Sequence, residues 1–351
     1  MKAVAPQHGG NLREQVARYG GALTDWLDLS TGVSPFAYPV GSLPAEVWQH
    51  LPQIDDGLEQ AALRYYNAPF KPLAVAGSQA AIMALPSIIL ARLECSKAVV
   101  ALPRVGYKEH QHAWQQCGGC ELLFYDDFPS PQLVARSDVL VVIHPNNPSG
   151  ERYSVQQLLE LRQHLAARGG YLLVDEAFMD CTPQCSLLHP ELDLSHLVVL
   201  RSVGKFFGLA GARVGFVFAE LAMQVALAHR LGPWTVAGPC RWVVQQALLD
   251  KPWQQQTKRA LGVASQRLNQ LLAKYLNCRL AGSQLFTSAY LVQASDWHRQ
   301  LCEAQIYTRL CDEGDALRFG LPASEADWTK LTKALQQLSH AIKETSDGES
   351  D

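Results

Sequence analysis

The sequence predicts an α/β protein: a large domain with a mainly parallel sheet flanked by helices, plus a smaller α+β domain. Three observations carry that prediction. Short, continuously apolar runs recur between helix-length segments, as expected of strands buried on both faces. Residues with chemical potential fall just past the ends of those runs, where parallel sheets bind ligands. Beyond residue 250 the texture changes to long amphipathic helices with isolated strands.

Leu73–Ala76 reads as the first strand and leads to an apolar helix from Gln79. Ala98–Leu102 is the second, before a helix that ends near Gln116. Cys117-Gly118-Gly119-Cys120 then turns the chain into Glu121–Phe124. Its CxxC spacing lacks the second ligand pair of a zinc site and the context of a redox pair, so it reads as a helix end and turn. Val139–Ile143 follows. The helix Val155–Ala167 places Leu158, Leu161 and Leu165 at helical spacing and runs through Gly169-Gly170 into the strand Tyr171–Val174. Leu197–Leu200 and Val214–Phe218 complete the series. In the smaller domain, a long helix spans Trp253–Tyr275 and a strand Phe286–Val292. A helix near Trp297–Ala304, a strand Ala316–Gly320 and a helix Ser324–Ile342 follow. The domain boundaries expected are 46–250 for the large domain, 1–45 with 251–343 for the small one, and a polar tail, 344–351, expected to be disordered.

Composition narrows the function classes. A net charge of −3 supplies no basic field for nucleic acid. The start Met1-Lys2-Ala3-Val4-Ala5-Pro6 lacks the apolar core of a signal peptide, and no apolar run is long enough to cross a membrane. Nine cysteines, an odd number, fit reduced thiols and a cytoplasmic location better than a disulfide framework.

Three residues carry chemistry. Lys205 follows an apolar run inside Gly204-Lys205-Phe206-Phe207-Gly208 and is placed to form a Schiff base. Asp175 follows the apolar strand Tyr171–Val174 and precedes Glu176-Ala177-Phe178, where a carboxylate would be costly without a cationic partner. Asn147 lies in Pro145-Asn146-Asn147-Pro148. Amine, carboxylate and amide together point to pyridoxal 5′-phosphate (PLP), which offers an aldehyde, a protonated ring nitrogen and a ring oxygen. Gly77-Ser78-Gln79-Ala80 sits between strand and helix, so the Ser78 and Gln79 N–H groups can cradle the phosphate. A phosphate-loop reading of Gly204-Lys205 fails, because Val199 stands where glycine is needed and Phe206 where Ser or Thr is needed. No metal set is expected.

These motifs resemble the fold-type I PLP enzymes of the aspartate-aminotransferase superfamily over nearly the whole chain. The closer likeness is to the threonine-phosphate decarboxylases of cobalamin biosynthesis. It is carried by His8-Gly9-Gly10-Asn11, Asp175-Glu176-Ala177-Phe178, Gly204-Lys205-Phe206-Phe207-Gly208-Leu209-Ala210-Gly211 and Leu317-Arg318-Phe319-Gly320-Leu321-Pro322. Histidinol-phosphate aminotransferases share the scaffold and are the alternative.

The resemblance implies that Lys205 holds PLP and acts as acid and base, and that Ser202 and Arg213 complete the phosphate cup. It places His110 over the cofactor ring with Tyr107 one helical turn away, and either could be the stacking residue. It implies Arg318 as the grip on a substrate carboxylate. His8, Asn11, Ser30, Thr31 and Gly32, with Asn147, are candidates for receiving a phosphorylated amino acid. A homodimer is also implied. Three departures stand out. Phe178 replaces a tyrosine that would reach the ring oxygen, Gly204 replaces a hydroxyl donor, and no tyrosine lies near Leu51-Pro52 to reach a partner subunit's phosphate.

Overall fold

The computed structural model describes residues 6–93 and 97–348. The extreme termini included in the predicted boundaries, 1–5 and 349–351, lie outside the described residues. The chain forms two compact units. One comprises 37–147 and 151–256, the other 7–36, 148–150 and 257 onward.

The first unit is built on seven strands. They are β1 (Leu73–Val75), β2 (Ala98–Pro103), β3 (Cys120–Tyr125), β4 (Val139–Ile143), β5 (Tyr171–Asp175), β6 (Leu197–Ser202) and β7 (Gly215–Ala219). Their order in the sheet is β1-β7-β6-β5-β4-β2-β3. Only β7 runs against the others, pairing antiparallel with both β1 and β6. Every residue of β4, β5, β6 and β7 is buried, which explains why they are apolar up to the Asp175 that ends β5 and the Arg201-Ser202 that ends β6. Ile82, Leu85 and Ile89 of helix α1 (Gly77–Leu93) pack with Val100, Val141, Leu173, Val198 and Val217 in one core. Helix α2 (Glu109–Cys117) adds Trp114 to it. After α2, Gly118 and Gly119 turn the chain into β3 with positive φ at both positions.

Two arrangements fix the segments that leave the central strands. The first is ionic. Arg201, one residue before the end of β6, donates from Nη1 to Glu176 Oε2 at 2.7 Å and from Nη2 to Asp180 Oδ1 at 3.1 Å. All three side chains are buried. Its guanidinium also lies 4.4 Å from the centre of the Tyr66 ring. Glu176 in turn accepts from Ser186 Oγ at 2.6 Å and from the Leu187 N–H at 2.7 Å. Burial pushes the Asp180 carboxyl up, while Arg201 pulls it down. Burial works against the Arg201 charge, yet Asp180 and Glu176 raise its pKa overall.

The second arrangement is aromatic. Phe206 and Phe207, next to Lys205, are fully buried. Phe207 stacks on Trp253 with ring centres 5.6 Å apart and packs against Tyr65. Gly208 allows the Ala37 backbone to approach, since a Cβ there would lie 2.6 Å from Ala37 Cα. Tyr38 N–H closes this contact on the Phe207 carbonyl at 2.8 Å.

The second unit has a four-stranded antiparallel sheet. Its strands are β8 (Leu280–Ser283), β9 (Phe286–Tyr290), β10 (Arg309–Leu310) and β11 (Ala316–Gly320), in the order β10-β11-β9-β8. A separate parallel pair joins Leu27–Asp28 to Ile306–Tyr307. Neither β8, β10 nor this pair is legible in the sequence, being short and without clear alternation. The last helix runs over Glu325–Gly348 and so enters the tail predicted to be disordered from 344. No proline or glycine interrupts the chain before Gly348, so local propensity carries the helix past Ile342.

Replacing Arg201 by Met should leave Glu176 and Asp180 buried without their cation, at a cost of about 3–5 kcal/mol. Chemical denaturation checks this; an unchanged midpoint would show that the ion network contributes nothing.

Candidate active site

Chain direction explains why the chemical residues converge. The parallel strands end at one edge of the sheet, so the segments following β1, β2, β4, β5 and β6 collect there. They bring Ser78, Gln79, Tyr107, Asn147, Asp175, Ser202, Lys205 and Arg213 around one cavity. Gly77, Ile143, Ala177, Phe178, Gly204 and Ala210 complete its lining. Every predicted cofactor residue except His110 lies on this wall.

His110 requires a correction. It was one of two residues, with Tyr107, expected over the cofactor ring, but it is buried with Nε2 2.9 Å from Asp175 Oδ2. The start of α2 at Glu109 explains the exchange. Tyr107 remains in the turn before the helix and lines the cavity, whereas His110 is carried behind the carboxylate. Asp175 Oδ1 accepts the Ala177 N–H at 3.0 Å, so both carboxylate oxygens are held. With Nε2 protonated, His110 donates to the carboxylate and fixes its orientation.

The anion cup depends on absent side chains. Helix α1 starts at Gly77, so the N–H groups of its first turn have no partner within the helix. Gly77 has φ +74°, and a Cβ there would lie 2.8 Å from Arg213 Nη2. Glycine therefore lets the guanidinium sit against the helix N-terminus. Gly215 plays a similar part, because its Cβ would lie 2.5 Å from the Ser78 nitrogen. Gly215 is also the register partner of Ser202, so one close approach assembles Ser78 and Ser202. Helix N–H groups, a hydroxyl and an exposed guanidinium make a fitting donor set for a phosphate.

Lys205 lies on the turn after β6, half-buried, with Nζ 5.3 Å from the centre of the Phe178 ring. Phe178 thus offers the amine an aromatic face in place of a hydroxyl. At Gly204 a Cβ would come within 3.0 Å of the Ala210 backbone, so a hydroxyl residue fits tightly at best. Acid, amine and phosphate cup fit PLP, which would be held by Asp175 at its ring nitrogen, Lys205 at its aldehyde and the α1 N-terminus at its phosphate.

Within the second unit lie the predicted substrate residues other than Asn147. Arg318, in the middle of β11, is buried and donates from Nη2 to the Ser30 carbonyl at 2.7 Å. Ser30 Oγ accepts the Gly10 N–H at 2.7 Å and donates to Asp28 at 2.6 Å. Gly9 permits this approach, since its Cβ would lie 2.2 Å from the Ser30 carbonyl oxygen. Gly10 brings the chain beside Thr31, and Gly32 is buried next to it. His8 and Asn11 are exposed on the same segment. Asn11 donates to Glu14 at 2.5 Å instead of capping the following helix. Arg309, unremarked in the sequence, is the register partner of Arg318 and adds a second guanidinium. Among the described residues, no group of three or more His, Cys, Asp or Glu side chains is placed to hold a metal ion.

A mainly parallel seven-stranded sheet whose strand ends present this lysine, aspartate and anion cup defines a PLP-dependent enzyme of fold-type I. The chain belongs to the aminotransferase class I and II family, whose model matches residues 49–323. It is 46% identical to a threonine-phosphate decarboxylase from Pseudomonas aeruginosa, over 94% of this chain and 97% of that one. A second threonine-phosphate decarboxylase, from a Sinorhizobium species, is 37% identical over 94% of this chain and 98% of the other. Among solved structures, histidinol-phosphate aminotransferase from Sinorhizobium meliloti in complex with pyridoxal-5′-phosphate aligns with a TM-score of 0.79 at 17% identity, covering 96% of each chain.

A Gly77→Ala substitution should displace the Arg213 guanidinium and weaken PLP binding by about tenfold, an effect of about 1.4 kcal/mol. Cofactor titration of the apoenzyme checks this; wild-type affinity would detach Arg213 from the phosphate cup.

Proposed function

We infer that the protein decarboxylates L-threonine O-3-phosphate to (R)-1-aminopropan-2-yl phosphate and CO₂, the step that supplies the aminopropanol linker of cobalamin. The carrying observation is 46% identity to a threonine-phosphate decarboxylase along nearly the whole of both chains. The fold alone does not choose the reaction, because a histidinol-phosphate aminotransferase shares it at a TM-score of 0.79.

When bound, PLP withdraws electrons from whichever substrate Cα bond stands perpendicular to its ring. The protein selects that bond by orienting the substrate. In this reading Asp175 keeps the ring nitrogen protonated, and His110 keeps Asp175 aligned. Asn147 supports the ring oxygen, and Tyr107 is the residue that faces the ring. Lys205 Nζ holds the cofactor and delivers the proton that replaces the lost carboxylate. Arg318 suits a carboxylate, for which its planar fork is matched. His8, Asn11, Thr31 and Gly32, with the Ser30 turn, receive the substrate phosphate. The same reading carries a homodimer and a cytoplasmic location.

Incubation with threonine phosphate should release CO₂ in step with the amine product and form no keto acid. Glutamate formed stoichiometrically from histidinol phosphate and 2-oxoglutarate would instead make the protein an aminotransferase. Lys205→Ala should bind PLP without a covalent link and lose turnover; near-normal activity in that variant would remove Lys205 from the mechanism.

A further inference from the structure

A polar chain begins at the cavity wall and leads away from it. Tyr107 donates from its hydroxyl to Gln79 Oε1 at 3.0 Å. Gln79 donates from Nε2 to Glu109 Oε2 at 2.6 Å. Tyr107 and Gln79 line the cavity, whereas Glu109 is buried outside the lining. Glu109 occupies the first turn of α2, where the helix dipole favours a negative charge.

The direction of the chain follows from the groups. A carboxylate only accepts hydrogen bonds, so Gln79 must turn its NH₂ toward Glu109. Its carbonyl oxygen then faces Tyr107, and the phenol has to donate. The Tyr107 ring also stands edge-on to His110, at 82° with ring centres 6.2 Å apart. Ring and hydroxyl are therefore restrained from two directions.

We propose that Glu109, acting through Gln79, is a positioning residue for Tyr107. It sets the tilt of the ring that faces the cofactor and commits the phenolic hydrogen to Gln79, away from the reacting atoms. This rests on the reading of Tyr107 as the residue against the PLP ring. On that reading the cavity keeps Lys205 as its acid and base, and Tyr107 acts as a surface.

The test is a double-mutant cycle on the holoenzyme with Glu109→Gln, Tyr107→Ala and both together, read by the visible circular dichroism of bound PLP and by kcat. Glu109→Gln keeps shape but lets the Gln79 amide turn over. It should change the dichroism of the bound cofactor and lower kcat by about fivefold, the difference between a charge-assisted and a neutral hydrogen bond. In the Tyr107→Ala background the same substitution should change neither. Gln79→Leu, which keeps the backbone N–H at the α1 terminus, should itself change the dichroism of the bound cofactor, and carries the test if Glu109→Gln folds poorly. Equal effects of Glu109→Gln with and without Tyr107 would overturn the proposal. So would a normal cofactor spectrum in both Glu109→Gln and Gln79→Leu while Tyr107→Ala alters it. A Tyr107→Ala holoenzyme with unaltered dichroism would overturn the stacking reading itself, a separate failure from that of the relay.

Discussion

The site depends on a charge that never touches it. Arg201 lies between the two central strand ends and binds Glu176 and Asp180 in full burial. Side chains alternate along a strand, so Asp175 and Glu176 diverge, as do Arg201 and Ser202. One member of each pair, Asp175 and Ser202, lines the cavity, and their neighbours Glu176 and Arg201 form an ion network away from it. Holding Arg201 to Glu176 therefore holds the backbone that carries Asp175 to the backbone that carries Ser202. The Glu176 N–H bonded to the Leu200 carbonyl at 2.9 Å closes the same junction through the main chain. A buried ion triad is a weak source of net stability. Here it fixes one relative placement of two strand ends.

Around that frame, close approach does what side chains cannot. Gly77 makes room for the Arg213 guanidinium, Gly215 for the Ser78 nitrogen, and Gly208 for the Ala37 backbone. Each missing Cβ brings a donor or a packing surface nearer than any other residue permits. The aromatic packing of Phe206, Phe207, Tyr65 and Trp253 then anchors the turn that carries Lys205. The Lys205 amine thus stands on a turn backed by buried aromatic rings, beside the cavity.

Much of this was legible in the sequence. The central strands declare themselves as apolar runs because both faces are covered, and Asn147, Asp175 and Lys205 could be read from their positions past strand ends. The errors have physical causes. The choice between His110 and Tyr107 stayed open because it turns on where the helix starts, and the helix at Glu109 leaves Tyr107 before it and carries His110 inside it. Gln79 was legible as a backbone donor, but its side chain reaches Tyr107 and Glu109, and such directions emerge only when helices are packed. Arg201 fell just past the strand expected at Leu197–Leu200 and drew no reading, because its partners Glu176 and Asp180 are distant in sequence. Short strands such as Arg309–Leu310 carry too few residues for any pattern.

The single reversed strand has a consequence of its own. Because β7 opposes its neighbours, its first residue, Gly215, meets Ser202 at the functional edge of the sheet. The segment 203–214 is therefore a closed circuit that leaves the site and returns to it, carrying Lys205 outward and Arg213 back. Both ends are registered on adjacent strands, so an added or lost residue cannot be absorbed at either end. It would shift the amine relative to the guanidinium, and so the two ends of any cofactor held between them.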